Sequence, residues 1–139
     1  AEIRKDEMRG VMRQHPQIGE ALWWATLVDE AVLREWLVNI GQRSAYERLA
    51  HLFLELYHRL DAVGLVQERS FLFPVTQEQL ADTMGLTPVH INRTLQRLRD
   101  DGLIALQSRK MRILDLPRLC SVAEFDDNYL HRERRKDRP

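Results

Sequence analysis

Cysteine is almost absent. Cys120 stands alone in 139 residues, so no internal disulfide can brace the fold, and one thiol cannot build a zinc or iron–sulfur site. Such usage fits a reducing cytoplasm. Net charge is absent too, with 21 Lys and Arg against 21 Asp and Glu. The overall field therefore does not announce a polyanionic partner, and any case for one rests on local placement. No uninterrupted apolar run is long enough for a bilayer. The richest, residues 21–40, carries Asp29, Glu30, Arg34 and Glu35, each costly in hydrocarbon, and no signal-peptide pattern precedes it. No membrane partner is expected. A glycine-rich phosphate loop, a nucleophile elbow and a paired-carboxylate signature are also missing, so no enzymatic activity is expected. His51 and His58 lie two helical turns apart without a cysteine or acid cluster to complete them, so no metal is expected either. What remains is ordinary globular material, 44% hydrophobic and 30% charged, enough to bury a core.

Along the chain, residues 2–14 read as a short linker helix ended by His15-Pro16, because the residue before proline disfavours the α region. Pro16 suits a first helical turn, and a long helix is expected from there to about Asn39, with Gly41 as its stop and residues 16–43 as its segment. At about 100° per residue, Ile18, Ala21, Leu22, Ala25, Val28, Val32, Trp36 and Ile40 share one stripe, while Trp24, Leu27, Ala31 and Val38 lie on roughly the opposite side. Such a helix is either buried inside one globule or holds a dimer seam, and this segment alone fits both. Ser44 with Glu47 forms a capping box that opens another helix, with Ala45, Leu49, Leu52, Leu56 and Leu60 on its apolar face and Gly64 just past its end. Residues 70–74, Ser-Phe-Leu-Phe-Pro, read as a small strand that the proline confines to an edge or terminus.

The informative stretch follows. Thr76 with Gln79 opens a helix carrying Leu80, Ala81 and Met84, and Gly85 stops it. Thr87 caps the next helix, residues 87–99, with Pro88 at its first position. There Ile91, Thr94, Leu95 and Leu98 face the core, which points Val89, Arg93 and Gln96 away from it. Asp101-Gly102 closes the helix. Two strand-like runs, residues 103–106 and 111–114, are joined by the polar tip Gln107-Ser108-Arg109-Lys110. The order helix, tight turn, helix, β-hairpin is that of a winged helix-turn-helix. The expected fold class is accordingly mainly α: a winged helix-turn-helix domain over residues 44–126 with a small antiparallel β-hairpin, preceded by the long helix and followed by a flexible basic tail, residues 127–139. Arg93, Arg97, Arg99, Arg109, Lys110 and Arg112 fall on the second helix and hairpin, against Glu78, Asp82, Asp100 and Asp101. Cations near phosphates supply salt-dependent affinity and base edges supply sequence choice. The competing reading is a winged helix that docks on protein without specific DNA binding, since fold does not fix function.

The run TQEQLADTMGLTPVHINRTLQRLRDDGLI, from Thr76 to Ile104, resembles the DNA-binding domain of the Crp/Fnr transcription regulators. Upstream, WLVNIGQRSAYERLA, from Trp36 to Ala50, is similar to the family's hinge between its dimerisation helix and that domain. The resemblance runs from Pro16 to just beyond Phe125. It implies a homodimer bound to a two-fold-related site on double-stranded DNA, with one recognition helix per major groove. It assigns residues 16–43 as the dimerisation helix, with Ile18, Leu22, Ala25, Val28, Val32 and Trp36 at the dimer interface. The family's effector-binding β-roll has no counterpart before Pro16, and the chain starts at Ala1 without an initiator methionine, so it is expected to be the C-terminal part of a longer protein. The effector, a cyclic nucleotide, haem or an iron–sulfur cluster in this family, is therefore unknown, and no cofactor is expected in these residues.

Residue by residue, Arg93 takes the place of the family's recognition-helix arginine, whose planar fork suits guanine O6 and N7. Four residues earlier, where family members often carry glutamate, this chain has Val89. An aliphatic side chain offers only apolar contact, such as to a thymine methyl, so a different half-site is expected. Val89, His90 and Arg93 are the expected base readers. Thr76, Thr87, Asn92, Gln96, Arg97, Arg109 and Lys110 are expected on the DNA backbone. The resemblance also implies a contact between residues 63–68 and RNA polymerase.

Overall fold

The structure, a computed structural model, describes residues 2–131. Its first two helices are α1 (Lys5–Gln14) and α2 (Pro16–Gln42). Pro16 sits in the first turn of α2 as expected. Gly41 does not stop α2; it lies within the last turn, and the helix ends where Arg43 and Ser44 turn to extended backbone. The reason is the next cap. Ser44 Oγ accepts from Glu47 N and Glu47 Oε2 accepts from Ser44 N at 2.8 Å, which fixes Ser44 outside the helical region and starts α3 (Ala45–Asp61). Gly64, at φ 75°, closes the end of α3, where Leu65 N donates to Leu60 O at 2.9 Å.

The strand β1 (Ser70–Leu72) leads to α4 (Gln77–Met84) and α5 (Pro88–Asp100), then β2 (Ile104–Gln107), β3 (Lys110–Ile113) and α6 (Leu116–Ala123). The sheet is antiparallel with order β1-β3-β2, so the expected hairpin gains β1 as a third, edge strand. Phe71 pairs with Met111, and Ile104 with Ile113. Along β3, Lys110 and Arg112 are exposed while Met111 and Ile113 are buried, the period-2 alternation of a sheet with one wet face. Both hairpin strands are shifted by one residue from the expected runs. Helix α6 lies in a segment where no element was expected, although Asp115 caps it through Arg118 N at 3.0 Å and Pro117 sits in its first turn.

One core holds these elements together. Leu49, Phe53 and Leu54 of α3 pack with Ile91, Leu95 and Leu98 of α5, with Phe71, Met111 and Ile113 of the sheet, and with Leu119 of α6. The chain is ordered past residue 126. Asp127–Leu130 forms a 3₁₀ turn capped by Asp126, where a flexible tail was expected, because Tyr129 finds buried partners on α3. Residues 132–139, the rest of that tail, lie outside the described residues. Among the described residues no helix is long and apolar enough to cross a membrane.

Candidate nucleic-acid interface

The face is built by two caps and a turn. Thr76 Oγ1 accepts from Gln79 N, and Gln79 Oε1 accepts from Thr76 N at 2.9 Å. Gly85 takes the left-handed conformation, φ 63° and ψ 38°, that ends α4, and Leu86 N reaches back to Ala81 O at 3.0 Å. Arg48 Nη1 of α3 donates to Met84 O at 3.0 Å, tying that helix end to the core. Thr87 then caps α5 through His90 N at 3.2 Å. The turn between the helices is thus set by backbone satisfaction at both ends, which fixes how α5 leaves the core.

On α5 the expected inward set, Ile91, Thr94, Leu95 and Leu98, is buried. Val89 is 76% exposed, Arg93 is exposed one turn further on, and His90 is half-buried beside them. The exposed backbone candidates divide by their partners. Asn92 Nδ2 donates to Gln77 Oε1 at 3.2 Å, joining α5 to the start of α4. Gln96 bonds Asp100 and accepts from Arg99. Arg97 is drawn to the flank: its guanidinium lies 4.4 Å over the Tyr46 ring and 4.0 Å from Asp101. Tyr46 also donates to Asp101, and burial, then that bond, pushes its phenol up to about 12. Arg97 is thus drawn towards this cluster while staying exposed, and among the described residues Arg93, Arg99, Arg109, Lys110 and Arg112 of the helix and hairpin have no ion pair.

The hairpin turn presents two of them. Ser108 and Arg109 both have positive φ, 48° and 61°, the mirror-image turn whose twist matches that of the strands but which usually takes Asn or Gly. Phe73 N donates to Arg109 O at 2.7 Å and pins the tip to the segment after β1. Lys110 is the first residue of β3, paired with both Gln107 and Leu72. Thr76 and Thr87 are exposed, and as each hydroxyl oxygen accepts a backbone N–H, its proton is left to donate outward.

The apolar faces of α2 fall differently from expectation. Ile18, Leu22 and Ala25 are exposed, but Val28, Val32 and Trp36 are half-buried. Trp36 is turned into its own chain, where Nε1 donates to Glu55 Oε2 at 2.9 Å, so it is not free for a seam with another helix. The exposed apolar side instead carries Leu33 (66%), Leu37 (74%) and Ile40 (55%), which sequence reasoning missed apart from Ile40. Their 4-then-3 spacing is the heptad signal that would have found them. Val63 and Leu65, before the edge strand, are also exposed.

Residues 47–122, more than half of the chain, match the Crp-like helix-turn-helix domain. The chain is 32% identical over 131 residues to the transcriptional activator protein FnrL of Cereibacter sphaeroides, covering 91% of this chain and 52% of that protein. It is 29% identical over 119 residues to the transcriptional regulatory protein btr of Bordetella pertussis, covering 84% and 48%. It thus spans about half the length of these curated relatives. In fold it resembles FixK2 of Bradyrhizobium japonicum, with a TM-score of 0.73 at 21% identity over 86% of this chain and 59% of that one.

Proposed function

The chain belongs to the Crp/Fnr family of DNA-binding transcription regulators, and from that premise we propose that it acts as a homodimer on a two-fold-related site. The reading puts one α5 into each of two successive major grooves, about 34 Å apart. Arg93 reads guanine, Val89 meets a thymine methyl and His90 lies at the edge of the base contacts. Thr76, Thr87, Arg109 and Lys110 hold phosphates, with the N-terminal N–H groups of α4 and α5 behind the two threonines. The observation that carries this reading is that, among the described residues, Arg93 on the exposed face of α5 and Arg109, Lys110 and Arg112 on the hairpin have no ion-pair partner, whereas Arg97 and Arg118 near the far end of α5 do have carboxylate or carbonyl partners. Unpaired cations of this kind release condensed counterions when they meet DNA.

Leu33, Leu37 and Ile40, with Leu22 and Ile18 on the same side, are assigned to the two-fold seam with a second copy. Effector sensing falls to residues other than these 139, a polymerase contact to the exposed turn at residues 63–68, and the compartment to the cytoplasm. Fluorescence anisotropy with two-fold, single-half-site and scrambled duplexes across a salt series tests the DNA reading. Affinity should fall steeply with salt and rank two-fold above half-site above scrambled. Equal, weak, salt-insensitive binding to all three would favour a protein-docking module.

A further inference from the structure

Helix α2 is held to the DNA-binding unit at a buried polar joint. Glu55 of α3, 6% exposed, accepts hydrogen bonds from two distant parts of the chain, Trp36 Nε1 of α2 at 2.9 Å and the Tyr129 hydroxyl of the C-terminal turn at 3.1 Å, and pairs with the charge of Arg59 on its own helix at 3.1 Å. The same hydroxyl lies 3.2 Å from Nε2 of the fully buried His51. A phenol has one proton, and the carboxylate takes it, so the hydroxyl accepts from His51 Nε2–H. Burial and Glu55 hold the Tyr129 phenol far above its ordinary pKa, which keeps that proton in place. The rings agree with this arrangement. Tyr129 stacks on His51 at 15° between planes, and Phe125 stacks on His58 at 2°.

The C-terminal segment then continues along α2. The His131 ring meets Trp24 edge-on with centroids 5.0 Å apart. Trp24 and Trp36 are twelve residues apart, roughly 18 Å of helix. Residues 125–131 therefore lie across the junction and prolong the attachment of α2 by about three turns beyond the point where α3 meets it. We propose that residues 125–131 form a strap that sets the angle between α2 and the DNA-binding unit, with Tyr129 as a positioning residue for paired DNA binding. Tyr129 touches no DNA in this arrangement. It fixes the separation and direction in which two recognition helices are offered to two half-sites. The inference rests on the dimeric reading above.

Tyr129→Phe tests it, because the rings stay and both hydroxyl bonds go. Affinity is measured on a single half-site and on two-fold sites whose half-site separation is varied by one and two base pairs in each direction. Wild type should bind one separation best. Tyr129→Phe should match wild type on the half-site, lose about tenfold on the preferred two-fold site and flatten the separation profile, an effect that general loss of stability would not produce. A retained profile overturns the strap alone. A wild type that gains nothing from a second half-site overturns the dimeric reading, and the strap with it. Should Tyr129→Phe not melt cooperatively, His131→Ala at the exposed end carries the test, and an unchanged separation profile there overturns the proposal.

Discussion

Replacing Leu37 with glutamate should dissociate the dimer without unfolding the chain. Leu37 is 74% exposed on α2, so the single protomer loses little by the change, within about 0.5 kcal/mol as for other surface substitutions. In the proposed seam the same side chain is buried. Full burial of a leucine contributes about 1.5–3 kcal/mol, and three-quarters of that is about 1–2 kcal/mol for each copy. Two copies meet in one dimer, so the loss is about 2–4 kcal/mol before the cost of bringing two carboxylates together. The dimer dissociation constant should rise about 30- to 700-fold. Sedimentation equilibrium of wild type and Leu37→Glu reads this directly, and thermal melts at concentrations where both are monomeric check the fold. Binding to a two-fold duplex should weaken in step while binding to one half-site stays unchanged. A dimer constant that moves less than threefold would refute the seam at Leu33, Leu37 and Ile40.

Arg93→Ala should cost about 1–3 kcal/mol per half-site and relax base choice at the contacted position; equal losses on specific and scrambled duplexes would remove Arg93 from base reading. Lys110→Ala should weaken all duplexes alike and flatten the plot of log affinity against log salt by about 0.9 per protomer; an unchanged slope would take Lys110 off the phosphates. Burial, with Arg43 adding and Glu35 opposing, pushes the His51 imidazole down to about 4, whereas the unfolded chain titrates near 6.5. The unfolded state thus binds the extra proton between those values, so stability is full above about pH 6.5 and falls as pH drops towards 4, by no more than about 3 kcal/mol. Urea titrations of wild type and His51→Leu from pH 4 to 7.5 check it: the acid limb should be shallower in the variant.

The helix-turn-helix was legible because its signals are local. A capping pair such as Thr76 with Gln79 and a glycine at a left-handed position such as Gly85 satisfy backbone groups within four residues, and a proline one residue after a cap such as Pro88 removes an N–H that would have had no partner. They survive any tertiary context. The inward set on α5 was equally readable, since Ile91, Thr94, Leu95 and Leu98 share one helical face over a single core. The fate of Arg97 was not, because Tyr46 and Asp101, which capture it, are brought together only when α3 packs against α5. Helix α6 went unread despite its Asp115 and Pro117 start, its few apolar positions being spread over only eight residues.

The long helix shows where periodicity alone departs from the burial seen in the structure. Counting apolar residues put Val28, Val32 and Trp36 at its centre, on the premise that the face turned to a partner is the greasiest one. The face that α2 turns to its own chain is mixed instead: Val28, Val32 and Trp36 share it with Glu35, Asn39 and Arg43. Buried polar groups are tolerated where partners exist. Most have one here: Arg43 bonds Glu35 at 2.7 Å and Asn39 Oδ1 at 3.4 Å, and Glu55 takes the Trp36 N–H, while the Asn39 amide nitrogen is buried without a partner among the described residues. A count of apolar side chains cannot see such partners, and Glu55, which takes the Trp36 N–H, arrives from α3. Once that polar face is spoken for, the helix turns about 80° from the expected stripe and leaves Leu33, Leu37 and Ile40 outside. A double variant that makes the joint apolar, Glu55→Leu with Tyr129→Phe, should therefore free α2 to turn and shift dimerisation from Leu37 towards Val28 and Val32. If Leu37→Glu still dissociated the double variant as it does the wild type, the polar joint would not be what orients the helix.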